Sequence, residues 1–269
     1  MKVVVLSDIH ANYFALDEAL KIIDQSGYDM MIILGDILTY GVNIDPVVET
    51  IGNRLKEKNT FLIKGNHDEI YDDIFAGIES PYLRSLPDWL RESIDFTAKN
   101  LKKSNWDDLK FLENMTQDGI YYSHANPFSE RNWSYLNNSS KLEEASKILR
   151  KMKLRAGVFG HIHRVLNSTF SEKNILKKNN LESASLSNKK IYILNTGSIG
   201  QPRDKNNLKS SLLWLNIKVP SSNNSDGYKY DYKIEFFNYS LKHHLNSIES
   251  TSLSYNTKEK LISFFNKKK

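Results

Sequence analysis

Cysteine is absent from this chain of 269 residues. That excludes disulfides, thiolate metal sites and thiol nucleophiles, and it is compatible with a reducing compartment. Long apolar runs are absent as well: none approaches the roughly 20 residues of a membrane span. The run at residues 3–6 is cut by Asp8 and His10 before it reaches the roughly 7–15 apolar residues of a signal peptide. A cytoplasmic location is therefore expected. Spread positive charge is also lacking. The formal charge is +5, but residues 172–190 hold five lysines against two glutamates and residues 267–269 add three more, which leaves the rest near neutral. A nucleic-acid binder more often distributes Lys and Arg along a face or groove, so stable nucleic-acid binding is not expected.

What is present is 40% hydrophobic and 11% aromatic residues, ordinary for a globular fold with a sizeable core. "KVVVLSD" is β-branched and continuously apolar, as a strand buried on both faces is. Apolar residues recur at helical spacing from Asn12 to Gln25, and Gly27 follows as a stop. "MMIILGD" is a second buried run. Pro46 opens another helical stretch that ends near Lys58, and "TFLIKGN" is a third strand. Repeated strand, helix, strand units build a parallel sheet whose ligands gather at the carboxyl ends of the strands. Asp8, Asp36 and Asn66 lie 28 and 30 residues apart, close to the length of one such unit. They are therefore expected at one edge of the sheet.

Further along, residues 80–114 read as a helical, cap-like insertion carrying Trp89, Phe96 and Trp106. "GIYYSHANP" reads as a strand and turn, 140–153 as a helix, and "AGVFGHIH" as a short strand running into a polar loop. The Ser-, Asn- and Lys-rich residues 172–190 interrupt what would otherwise be a hairpin, and a mobile insertion is expected there. "KIYILNTGSIGQPRD", "SSLLWLNI" and "YKYDYKIEFF" predict a second sheet, and 256–266 a short amphipathic helix. The whole reads as one α/β domain over 1–269.

Polar groups follow the strand ends in a fixed series: Asp8 with His10, Asp36, Asn66 with His67, His124, and His161 with His163. Five of the seven histidines fall in it. D-x-H and H-x-H put two side chains on the same side of an extended segment, within reach of one cavity. Alone, D-x-H is commonly a cap and Gly-Asp an ordinary turn; five such pieces in order are not explained that way. A sulfur-free set of His, Asp and Asn suits Mn²⁺, Fe, Zn²⁺, Co²⁺ or Ni²⁺.

The series DIH, GD, GNHD, SHAN and GHIH resembles the calcineurin-like metallophosphoesterase superfamily. "NTGSIGQPRD" at 195–204 and "GDILTYGVNIDPVVETI" resemble its small bacterial branch of phosphodiesterases and diadenosine-tetraphosphatase-like enzymes. The resemblance covers roughly residues 1–240. It implies a four-layer αββα sandwich with two mixed β-sheets flanked by helices, and two divalent ions, Mn²⁺ first among them. One ion would be held by Asp8, His10, Asp36 and His163, the other by Asp36, Asn66, His124 and His161, with Asp36 bridging. The implied reaction is hydrolysis of a small nucleotide-type phosphodiester by water activated between the ions, with His67 as general acid and Asp68 orienting it. Two positions depart from the pattern: Ala125 stands where Gly is usual, and Thr196 where the signature has Pro.

Three other functions are open to the same chemistry. Ser/Thr protein phosphatases usually place an arginine before the GNH motif, and this chain has Lys64. A non-catalytic metal-dependent scaffold would have lost ligands or the acid histidine, and here all are present. A nuclease is disfavoured by the confined charge.

Overall fold

In β1 (Lys2–Leu6), Val3 and Val5 face one apolar core and Val4 and Leu6 another, all fully buried. Each such side chain contributes about 1.5–3 kcal/mol relative to exposure, so a strand of this composition is stable only between two layers. The computed structural model describes residues 1–57, 59–78, 80–171, 176–179, 182–187, 190–204, 206–218 and 229–266. After β1 come α1 (Tyr13–Ser26), β2 (Met30–Ile33), α2 (Ile44–Arg54), β3 (Thr60–Ile63), α3 (Asn66–Phe75), α4 (Pro81–Ser85), α5 (Asp88–Asn100), α6 (Lys103–Asp107) and β4 (Phe111–Leu112). β1 to β4 run parallel, with Val3 opposite Met30, Met31 opposite Thr60 and Leu62 opposite Phe111. Asn12 caps α1 by accepting from the Ala15 N–H, and Gly27 closes it with φ 64°.

β5 (Met115–Gln117), β6 (Ile120–Tyr122), α7 (Ser139–Lys151), β7 (Ala156–Phe159), β8 (Val165–Phe170), β9 (Leu176–Asn179), β10 (Ser183–Leu186) and β11 (Ile191–Thr196) follow. The chain then forms β12 (Ser210–Lys218), β13 (Lys229–Phe237), α8 (Leu241–Glu249) and α9 (Tyr255–Ser263). Two mixed sheets result, ordered β10-β13-β12-β1-β2-β3-β4 and β5-β6-β7-β11-β8-β9. Val3, Val5, Ile32 and Leu213 of the first meet Tyr122, Val158 and Leu194 of the second between the sheets. Val4, Leu6, Met31 and Ile33 pack outward on α1, α2 and α5, while Phe159, Ile191 and Ile193 pack on Leu142, Ala145 and Leu149 of α7. The stack is the αββα sandwich. Among the described residues no helix is long and apolar enough to cross a membrane.

Residues 80–114 are helical, but Leu90, Ile94 and Trp106 bury in the same core as α1 and α2, so this segment is largely outer layer rather than cap. The insertion expected at 172–190 lies partly outside the described residues. Its described part is not a loop: β9 ends the six-stranded sheet and β10 ends the seven-stranded one. α8 carries only His244 and Ile248 as buried residues, too few for its period to stand out in the sequence.

Candidate metal centre

The loops after β1, β2 and β7 share an unusual backbone. Asp8 (φ 55°), His10 (50°), Asp36 (51°), His161 (69°) and His163 (54°) all lie in the left-handed region, at a cost of about 1–3 kcal/mol each. The surroundings hold them there. His10 N–H donates to the Asp36 carbonyl at 2.9 Å and Asp8 N–H to that of Gly35 at 3.1 Å. Gly65 and Gly160 permit the close approach: a Cβ on Gly65 would sit 2.2 Å from Asp36 Oδ1, and one on Gly160 1.8 Å from Ser7 Oγ.

These turns bring the predicted residues together. Asp8, His10, Asp36 and His163 form one buried group, and Asp36, His124 and His161 another, with the ligating atoms of each group within 4.8 Å of one another. Asn66, at the start of α3, joins the second with Oδ1 3.2 Å from His124 Nε2. Asp36 belongs to both. Lys64 turns away to Asp72 at 2.8 Å and Glu113 at 3.5 Å, so the protein-phosphatase arrangement with a cation before GNH is not built here.

Backbone carbonyls set the imidazole tautomers. Nδ1–H of His10, His163 and His124 donates to the carbonyls of Leu38 (3.0 Å), Gln201 (2.7 Å) and Leu34 (2.6 Å). His161 uses Nε2–H on the Trp133 carbonyl at 2.9 Å. In each case the other nitrogen faces the centre, an arrangement typical of metal-ligating histidines. Burial drives His10 and His163 well below the usual imidazole range, so both are neutral. Their Nε2 lone pairs face each other at 3.2 Å, with Asp8 Oδ1 3.2 Å from His163 Nε2 and without a hydrogen-bond donor. Three buried acceptors converge with no proton between them. A cation satisfies all three; among the described residues no donor does.

The second group is balanced differently. Burial works to lower His124, but the Asp36 carboxylate, 3.3 Å from its Nε2, outweighs it and raises the imidazole to about 9. Burial likewise works to raise Asp36, and the His124, His67 and His10 imidazoles outweigh it and hold the carboxyl well below its usual range. Burial first, then the His124 charge, pushes His161 down to about 3. Asp8 is raised by burial to about 6.

His67 sits beside the first group, its ring 5.4 Å from that of His10 and 4.9 Å from Tyr40, both edge-on. Its Nδ1 is buried without a partner, and burial lowers it to about 4. Asp68 does not orient it, contrary to expectation. The Asp68 carboxylate instead accepts the backbone N–H groups of Asp36 (2.7 Å), Ile37 (3.0 Å) and Gly65 (2.8 Å). It clamps the loop that carries Asp36. Aspartate in a helical first turn is common enough that sequence alone does not distinguish such a clamp.

The segment 195–204 acts as a brace. Ser198 Oγ–H and Gly200 N–H both donate to the Asp8 carbonyl, at 2.8 and 2.9 Å, and Ile199 N–H donates to that of Ser7 at 2.9 Å. Thr196, in the position of the signature's proline, is fixed as the last residue of β11 opposite Val165. Ala125 is buried, and its methyl is accommodated. The motif marks this segment in the sequence, but its bracing role depends on contacts with residues some 190 positions away.

The chain belongs to the calcineurin-like phosphoesterase family, whose profile matches residues 1–165. It is a metal-dependent phosphoesterase. An uncharacterized protein of Methanocaldococcus jannaschii is 32% identical over 211 residues, which cover 75% of this chain and 77% of that one. Among solved structures, a metallophosphoesterase from Sphaerobacter thermophilus superposes with a TM-score of 0.70 at 21% identity, covering 98% of this chain and 100% of that one. A hypothetical protein from Pyrococcus horikoshii gives a TM-score of 0.70 at 18% identity, covering 97% of both chains. Both likenesses are of fold.

Proposed function

We propose that the chain hydrolyses phosphodiesters of small nucleotide-type molecules with two divalent transition-metal ions, Mn²⁺ the first expectation. Asp8, His10, Asp36 and His163 hold one ion and Asp36, Asn66, His124 and His161 the other. The observation that carries this reading is the convergence of Asp8 Oδ1, His10 Nε2 and His163 Nε2 without a donor. When bound, such an ion pair neutralises phosphoryl oxygens and supplies a nucleophilic water at neutral pH.

The protein's own groups do the rest. Asp36 Oδ1 accepts the His67 N–H at 2.8 Å, which fixes the backbone of the proton-carrying residue against the shared carboxylate. Neutral His67 meets the substrate as a hydrogen-bond partner. It then protonates the leaving oxygen. The buried cluster keeps bulk water from the reacting atoms.

The test is a comparison of bis-p-nitrophenyl phosphate with p-nitrophenyl phosphate on protein reconstituted with Mn²⁺. Diester hydrolysis should exceed monoester hydrolysis, disappear on chelation and return with Mn²⁺. A diester rate indifferent to chelation overturns the metal reading, and a monoester preference overturns the diester one.

A further inference from the structure

The ring of His67 is held differently from those of the four ligand histidines. Each of the four donates one ring N–H to a backbone carbonyl. His67 Nδ1 is buried without a hydrogen-bond partner, and Asp68 is engaged with the loop that carries Asp36. What stands against the His67 ring is aromatic: Tyr40, with centroids 4.9 Å apart and planes at 64°, and His10, at 5.4 Å and 85°. His10 is anchored by its own hydrogen bond. Tyr40 has to be held by other means.

The backbone supplies one of them. Thr39 and Tyr40 lie in the left-handed region, at φ 72° and 65°, which such residues adopt only where their surroundings impose it. Gly41 docks this turn on the centre: its N–H donates to the His10 carbonyl at 3.0 Å, and a Cβ there would sit 2.2 Å from that oxygen. Packing supplies the other. The Tyr40 ring lies 5.6 Å from Phe264 and 6.3 Å from Trp89, which are themselves 6.1 Å apart. The Arg203 guanidinium lies 5.5 Å from the Tyr40 ring and 5.6 Å from that of Phe264, and its Nε–H donates to Gln201 Oε1 at 3.0 Å.

Phe264 follows α9, and α9 is fastened to α5. The Glu92 carboxylate of α5 accepts the N–H and the hydroxyl of Ser254, each at 2.6 Å, and the hydroxyl of Thr257. Ile248, Leu253 and Leu261 bury together, with Tyr40 and Trp89 packed against them. The family profile ends at residue 165, and this C-terminal wall lies beyond it.

We propose that Tyr40 is the positioning residue for the His67 ring, and that the C-terminal segment keeps it there through Phe264. This rests on the reading of His67 as the general acid. An aromatic ring packed edge-to-face restrains the imidazole by shape and by its quadrupole. It occupies neither ring nitrogen, so both stay available to the substrate.

The experiment compares metal-loaded variants on diphenyl phosphate, a diester with a poor leaving group, and on bis-p-nitrophenyl phosphate. Tyr40→Leu should lower kcat about 10- to 100-fold on the first and less on the second, with KM little changed and metal content equal to wild type. Tyr40→Phe should recover most of the loss. Phe264→Ala should repeat the pattern at about 3- to 10-fold, and Phe264→Leu should recover part of it. In a His67→Ala background neither Tyr40→Leu nor Phe264→Ala should lower kcat further. A further loss in that background, an equal loss on the two diesters, or loss of an ion overturns the proposal. The orientation itself is read by NMR on Zn²⁺-loaded, histidine-labelled protein, where the His67 ring resonances are identified by their disappearance in His67→Ala. They should shift in Tyr40→Leu and in Phe264→Ala, and unmoved resonances overturn the proposal. Should the wild-type protein hydrolyse neither diester, the phosphoesterase reading falls, and these resonances alone decide whether Tyr40 and Phe264 position the ring.

Discussion

The two halves of the centre share Asp36 but are built on opposite principles. Around His10 and His163 the protein brings bare acceptors together, Asp8 Oδ1 and two Nε2 atoms, and supplies no proton to reconcile them. Around His124 the Asp36 carboxylate holds a proton on the imidazole to about pH 9. Burial differs in the same sense: Asp8, His10 and His163 are at most 2% exposed, whereas His161 and Asn66 reach 4% and 6%, under a rim that includes Trp133 and Tyr135. One half is prepared for a cation in advance. The other would have to release a proton to take one.

Replacing the shared carboxylate breaks both halves at once and gives the largest effect. Asp36→Asn is expected to abolish turnover and to lower metal content from two ions towards one or none. Two tightly held ions with normal turnover, seen by elemental analysis and assay, would sink the assignment. His67 belongs to neither half's ligand set, so His67→Ala is expected to retain both ions. It should lose roughly 10²–10⁴ in kcat on esters with poor leaving groups and less with p-nitrophenolate. An equal loss on both would make it a positioning group, and loss of an ion would add it to the ligands.

The asymmetry itself is read by metal titration of stripped protein against pH. His124 must give up a proton below about pH 9, so affinity at its half should rise about tenfold per pH unit from 6.5 towards 9. His10 and His163, held well below 6.5, have no proton to release in that window, and their half should stay flat. Parallel slopes would refute the contrast. The smallest effect separates acid sensitivity of the fold from that of the centre. His244, buried 5.0 Å from the Phe265 ring, is lowered to about 4 by burial. The unfolded chain binds that proton near 6.5 and the fold only near 4, so stability falls as pH drops from 6.5 to 4. His244→Phe should remove about 2 kcal/mol of the difference in unfolding free energy, read from urea titrations, between pH 7.5 and 4.5. A pH dependence unaltered by the substitution would assign it elsewhere.

Much of this is legible in the sequence alone. The apolar runs of β1, β2 and β3 and the 28- and 30-residue intervals between Asp8, Asp36 and Asn66 are local patterns, and local patterns decide strand ends. Residues 80–114 read as a cap because Trp89, Phe96 and Trp106 mark apolar surface in a helical segment without saying what it packs against. The residues 172–190 were read as a loop because edge strands this short, four residues each in β9 and β10, leave little alternation to detect.

By itself the sequence determined which side chains stand at the strand ends, and with them the hard, sulfur-free donor set. Tertiary structure decided how those donors behave. Whether a histidine offers Nδ1 or Nε2 depends on a carbonyl 28 residues away for His10 and for His161, 38 for His163 and 90 for His124. The left-handed turns that aim Asp8, Asp36 and His163 persist because Asp68, Gly65 and the 195–204 brace surround them. Arg164 and Arg203 are 39 residues apart and meet only where β8 and the brace converge. A lone pair's direction is a property of packing, and no local pattern encodes it.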